Sequence, residues 1–397
     1  MKIEFLGATH QVTGSSYLLE TSGMKILVDC GMFQERDYSQ RNWEPFPVPP
    51  DQIQYLLLTH VHQDHCGLIP KLVKDGFHGD ILLTAASKEL FPIVVLDSAR
   101  IQEEDAAFKK NRNSNEKQKE PYPETPLYTV QDVEKCFPLL KAVPYEEFLP
   151  LNDQVKVCFY DAGHILGSAM IEIVFQDESG SGNIIFSGDI GQFDTPLLNN
   201  PTVFERADYV VMESTYGDRN HDSLQDIDDK LTNTINYTIK AGGNVIIPTF
   251  AIERAQELLY HISLLARAKR IPYIVTFLDS PLAVEITKVF EQSKKYFDNQ
   301  TLELFKDGQT PFDFSGLKLV ESVEGSKAIN LIKGSTIIMA GSGMITGGRI
   351  KHHLVREISR PESTLIFVGY QAVGTLGRQI LDGVSPVSIL GESYPVR

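Results

Sequence analysis

Chemistry is concentrated in Thr59-His60-Val61-His62-Gln63-Asp64-His65-Cys66-Gly67, which follows the apolar run Tyr55-Leu56-Leu57-Leu58. Three imidazoles and a carboxylate lie between positions 60 and 65. On an extended backbone side chains alternate, so His60, His62 and Asp64 share one side, and His65 joins them if the chain turns there into a helix. One segment can therefore serve two adjacent metal ions. Nitrogen and oxygen donors without thiolate suit zinc or a similar cation such as manganese or iron, and an open coordination position activates water near neutral pH. That is hydrolytic chemistry. The bland alternative, a histidine-rich surface loop, is opposed by matching donors downstream.

Those donors are His164 and Asp189. His164 stands in Asp161-Ala162-Gly163-His164-Ile165-Leu166-Gly167-Ser168-Ala169, after the strand-like Val155 to Tyr160, among small residues that let backbone approach a site closely. Asp189 stands in Ser187-Gly188-Asp189-Ile190-Gly191, directly after the apolar Ile184-Ile185-Phe186. Taken singly, the first reads as a buried hydrogen-bonded histidine and the second as a turn aspartate. Beside the first cluster both become ligands, with Asp189 placed to bridge two cations.

Asp29 after a strand, the His-x-His-x-Asp-His run, the segment around His164, Phe186-Ser187-Gly188-Asp189 and Glu213-Ser214-Thr215-Tyr216-Gly217 occur in that order. Together they resemble the metallo-β-lactamase superfamily, and within it the β-CASP branch, which includes ribonuclease J and the RNA-cleaving subunit of the cleavage and polyadenylation specificity factor. The likeness covers essentially the whole chain. It implies an α/β fold, a metallo-β-lactamase αββα sandwich with an inserted Rossmann-like β-CASP domain that makes the metal cleft an interdomain groove. It also implies two zinc ions, the first held by His60, His62 and His164, the second by Asp64 and His65, with Asp189 bridging. Asp29 would orient ligands or the attacking water. Glu213 matches the acidic motif that opens the β-CASP region and in relatives supports a histidine acting as general acid.

The branch carries two further histidine motifs near its C-terminus. No histidine follows His353 here, and His352 and His353 read as surface or packing residues. The expectation is a shortened chain whose second cation is held weakly and whose cleavage is slow. The implied activity is metal-dependent hydrolysis of RNA phosphodiester bonds; a thioester or lactone hydrolase of the same superfamily and a non-catalytic RNA-binding subunit are the alternatives.

Composition fits an intracellular two-domain enzyme. At 397 residues and 42% hydrophobic content the chain can bury two cores, and no apolar run approaches membrane-spanning length. Four scattered cysteines, Cys30, Cys66, Cys136 and Cys158, suit reduced thiols in the cytoplasm. A net charge of −15 disfavours a general nucleic-acid coat, so single-stranded RNA must be held locally. Lys109, Lys110, Arg112, Lys117 and Lys119, then Arg267, Lys269 and Arg270, then Arg349, Lys351 and Arg356 read as solvated faces, with RNA contact as the alternative. Arg254, at a strand-to-helix junction, is a better phosphate candidate.

Short apolar runs separated by turns dominate up to about residue 210, whereas strands and helices alternate beyond about 217, implying a parallel sheet. Expected domains are 1–211, 212–383 and a final 384–397 that begins a return to the first. The polar stretch 108–126 reads as a loop. A helix over 224–240, a strand over 244–248, a helix over 255–268 and strands over 273–277, 335–339 and 363–368 complete the second part. The glycine-rich segment 340–349 places Ser342 and Gly343 between strand and helix, where backbone amides could hold phosphate or simply form a tight turn. It lacks the Lys-Ser/Thr ending of a nucleotide-binding loop. A homo-oligomer is compatible with all of this.

Overall fold

The structure is a computed structural model that describes residues 1–35, 37–113, 125–177, 180–218, 220, 226–306 and 308–397. It divides into two compact units, Met1–Asn220 and His221–Arg397.

In the first unit a six-stranded sheet runs in chain order through β1 (Lys2–Phe5), β2 (Tyr17–Thr21), β3 (Met24–Val28), β4 (Tyr55–Leu57), β5 (Asp80–Thr84) and β6 (Leu140–Val143). The first three are antiparallel and β3 to β6 are parallel. A second sheet joins β7 (Leu149–Pro150), β8 (Val155–Asp161), β9 (Ala169–Asp177), β10 (Gly180–Phe186) and β11 (Tyr209–Val211). Alternation decides which side chains meet between the sheets. Leu19, Ile26, Val28, Leu57 and Leu82 from the first pack with Val155, Val157, Phe159, Ile171, Ile173 and Phe186 from the second. Helices α1 (Gln63–Cys66), α2 (Ile69–Lys74), α3 (Ala85–Asn113) and α4 (Val130–Glu134) belong to this unit. Four of its strands, β3, β4, β8 and β10, end immediately before the chemically notable segments.

Helix α3 replaces the start of the expected 108–126 loop, since helix continues to Asn113, and the remainder of that loop falls largely outside the described residues.

The second unit is built on a sheet ordered β14-β13-β15-β12-β16, comprising β12 (Val245–Pro248), β13 (Val275–Asp279), β14 (Leu317–Leu319), β15 (Thr336–Ala340) and β16 (Thr364–Leu365). Every ladder in it is parallel. Its helices are α5 (Ile227–Ala241), α6 (Arg254–Arg267), α7 (Pro281–Gln292), α8 (Asn299–Lys306), α9 (Val323–Ile329), α10 (Ile350–Glu357) and α11 (Leu376–Leu381). The expected strand over 363–368 shrinks to the two residues of edge strand β16. A hairpin of β17 (Val387–Ile389) and β18 (Glu392–Tyr394) turns at Leu390 and Gly391, both at positive φ, as a tight two-residue hairpin loop requires. Val387 and Ile389 are buried in this unit's core with Ile246, Phe277 and Ile338. His353 is buried as well, with Nε2 2.7 Å from Asp279 Oδ2. Among the described residues no helix is long and apolar enough to cross a membrane.

Candidate metal centre

The site is assembled from strand ends. After β4 the chain passes through His60 to His62, which is extended at ψ 148° immediately before the single turn of α1, which carries Asp64 and His65. The loop after β8 delivers His164, and the loop after β10 delivers Asp189. Donor atoms of His60, His62, His164 and Asp189 all lie within 4.8 Å of one another. His62 Nδ1 is 3.1 Å from His60 Nε2 and 3.2 Å from His164 Nε2. Three imidazole nitrogens facing one another need a shared proton or a cation between them, so the donor set fits a metal ion.

Asp189 divides its two oxygens. Oδ2 lies 3.7 Å from His60 Nε2 and 3.5 Å from His164 Nε2, whereas Oδ1 lies 3.2 Å from His65 Nε2. Asp64 is outside the four-residue group, but its carboxyl is raised by burial and by Asp189, against the opposing pull of His65.

Asp29 sits beneath His65. Fully buried, it accepts the Thr59 N–H at Oδ1 and the Thr59 hydroxyl at Oδ2, both at 2.8 Å, and His65 Nδ1 donates to Oδ2 at 2.8 Å. This fixes the ring so that Nε2 faces Asp189. Burial alone would lower the His65 imidazole, but Asp189 and Asp29 outweigh it and hold it well above the ordinary histidine value. His60 goes the other way: burial, then the neighbouring His65, pushes it well below, which keeps it neutral as a ligand must be. Burial likewise opposes ionisation of Asp189, yet His65, His60 and His164 keep its carboxyl well below the usual range.

Backbone packing holds the loops together. The Ser168 hydroxyl accepts the N–H groups of His164 and Ile165 at 3.1 and 3.2 Å. Asp161 accepts the Gly163 N–H at 2.9 Å while burial pushes its carboxyl up to about 6. The Gly191 N–H donates to Ala162 O at 2.8 Å, tying the Asp189 loop to the His164 loop. Glu213 accepts the Ile190 N–H at 2.9 Å, so it braces the backbone directly after Asp189; burial, with Asp189, raises its carboxyl. Sequence reasoning gave Thr59, Ser168 and Asp161 no role, because their partners become visible only when the strand ends are brought together.

The other candidate residues belong to the second unit. Arg254 opens α6 and pairs with Glu257 at 2.6 Å. The Ser342 hydroxyl accepts the N–H groups of Thr346 and Gly347 at 3.0 and 3.2 Å, closing a turn between β15 and α10, and a side chain at Gly343 would strike the Phe250 ring at 2.5 Å.

Two facing sheets with this group at their strand ends define a metallo-hydrolase fold, and comparison with known proteins agrees. Residues 11–249 match the metallo-beta-lactamase superfamily and residues 255–380 match the Beta-Casp domain. The chain belongs to the metallo-β-lactamase superfamily and carries its β-CASP domain. It is similar to ribonuclease TTHA0252 of Thermus thermophilus, at 38% identity over 100% of this chain and 85% of the relative. It is also similar to the transcription termination factor FttA of Methanosarcina mazei, at 32% identity over 99% of this chain and 60% of that protein. FttA of Pyrococcus horikoshii is 30% identical over 99% of this chain, which spans 59% of its length.

Proposed function

We propose that this chain is a metal-dependent ribonuclease whose paired metal site, zinc in our reading, hydrolyses phosphodiester bonds of single-stranded RNA. The observation that carries the reading is the split of the Asp189 carboxylate between His60 and His164 on one oxygen and His65 on the other. The substrate class follows from the relatives, a ribonuclease and transcription termination factors, and it implies a cytoplasmic protein.

His60, His62, His164 and Asp189 would hold one ion, and Asp64, His65 and Asp189 the other. Cations bound there neutralise charge on the phosphoryl oxygens and lower the pKa of water. The chain supplies the rest. Asp64 would orient the attacking water, Asp29 keeps His65 in register through Nδ1, and Glu213 holds the backbone at Ile190. Arg254, Ser342 and Gly343 would contact substrate phosphates, and their present engagements mean that such contacts require local rearrangement.

The test is to incubate the zinc-reconstituted chain with single-stranded RNA and, separately, with thioester and lactone substrates. RNA cleavage that a chelator and Asp189→Ala both abolish supports the reading. Thioester or lactone turnover without RNA cutting would replace it with a small-molecule hydrolase, and RNA binding without turnover would replace it with a non-catalytic subunit.

A further inference from the structure

Helix α5 buries Leu231, Ile235 and Thr238 and leaves Asn233, Asn236, Tyr237 and Lys240 exposed, so the latter four share its outer face. The segment that follows α6 is seated beside that face, because the Asn236 side-chain amide donates to the Arg270 carbonyl at 3.0 Å. Lys269, Arg270 and Tyr273 on this segment are exposed too. Arg270 and Tyr273 are separated by at most about 11 Å of chain. Tyr237 is 72% exposed and Tyr273 74%, so both rings are open to solvent and could be stacked upon.

We infer that Tyr237 and Tyr273, with Lys240, Lys269 and Arg270, form a second binding surface for single-stranded RNA, distinct from the metal-ligand residues. Aromatic faces accept any base, and flanking cations draw the phosphate backbone. The charge is local: Arg270 pairs with Asp229 of α5, and Arg267 is occupied by Gln309 and Thr310. In a chain of net charge −15, Lys240 and Lys269, which form no ion pair among the described residues, together with two exposed rings favour a polyanion over an apolar protein partner. Holding a strand here raises its effective concentration for cleavage. The inference rests on the RNA reading above.

The test measures binding of an unstructured RNA in EDTA, where no cleavage occurs, and cleavage of a dinucleotide with metal, which is too short to need the surface. Tyr237→Ala with Tyr273→Ala should weaken RNA binding at least tenfold and leave dinucleotide cleavage unchanged, while the paired Tyr→Phe changes, which keep the rings, should bind as wild type. Equal affinity of the Ala and wild-type proteins overturns the inference, as does failure of wild type to bind in EDTA, or loss of dinucleotide cleavage in step with binding. Wild type that cleaves RNA yet gives any of these results leaves the ribonuclease reading standing; absence of wild-type cleavage on every RNA overturns that reading instead.

Discussion

Asp189 meets His65 at 3.2 Å through Oδ1, and its other oxygen is turned to His60 and His164. One carboxylate thus links two groups of donors that come from different strand ends. Asp189→Ala should remove both metals' common ligand, lowering bound zinc below one ion per chain and cleavage by about a thousandfold or more, on the scale of losing metal charge stabilisation. Metal analysis of the purified variant and a cleavage assay check this; two retained ions would contradict it.

Asp29 acts one step further out. Its carboxylate orients His65 without belonging to the donor group, so Asp29→Ala should weaken metal affinity or cleavage about 10–100-fold and leave the fold intact. Zinc titration with a competing chelator measures the first effect, and circular dichroism the second. Unchanged affinity and cleavage would show that His65 needs no such support.

Proton competition should be visible at His65. Burial disfavours its charge, but Asp189 and Asp29 prevail and raise its pKa well above the ordinary histidine value of about 6.5. In metal-free protein the resulting stabilisation is fully present below that value and is lost as pH rises through the raised value. Metal binding displaces the same proton, so affinity at the second ion's site should rise about tenfold per pH unit across that window and then level off. Calorimetry in buffers of different ionisation enthalpy would show proton uptake or release; a pH-independent affinity with no proton released excludes the mechanism.

Gly191 permits the close meeting of two ligand loops. A Cβ there would lie 1.7 Å from Gly163 O and 2.8 Å from His164 N. Gly191→Ala should cost about 1–3 kcal/mol of stability and push His164 from Asp189, reducing metal affinity. Denaturant unfolding with zinc titration checks both, and a wild-type affinity would mean the loops can part without moving the donors.

Much of the site was legible because its donors lie in short segments directly after apolar strands. His60, His62, His164 and Asp189 could be named from their neighbours, and the structure brings them together. The hold of Asp29 on Thr59 and His65 was not legible in detail, since it depends on β3 and β4 pairing side by side. Helix α3 escaped because Pro92 lies within it and its apolar first half, with Leu90, Phe91, Val94 and Val95 buried, gives way to a polar second half without a steady stripe. The parallel sheet of the second unit was legible from alternating strands and helices, but β16 was overextended: as an edge strand it pairs on one side, with β12.

The most direct test is a crystal structure of zinc-reconstituted protein with anomalous data at the zinc edge. Two peaks about 3.5–4 Å apart, with Asp189 between them, His60, His62 and His164 on one side and Asp64 and His65 on the other, are the predicted result. Zinc bound elsewhere, or a single fully occupied peak with His65 and Asp64 turned away from it at saturating metal, would contradict the paired site.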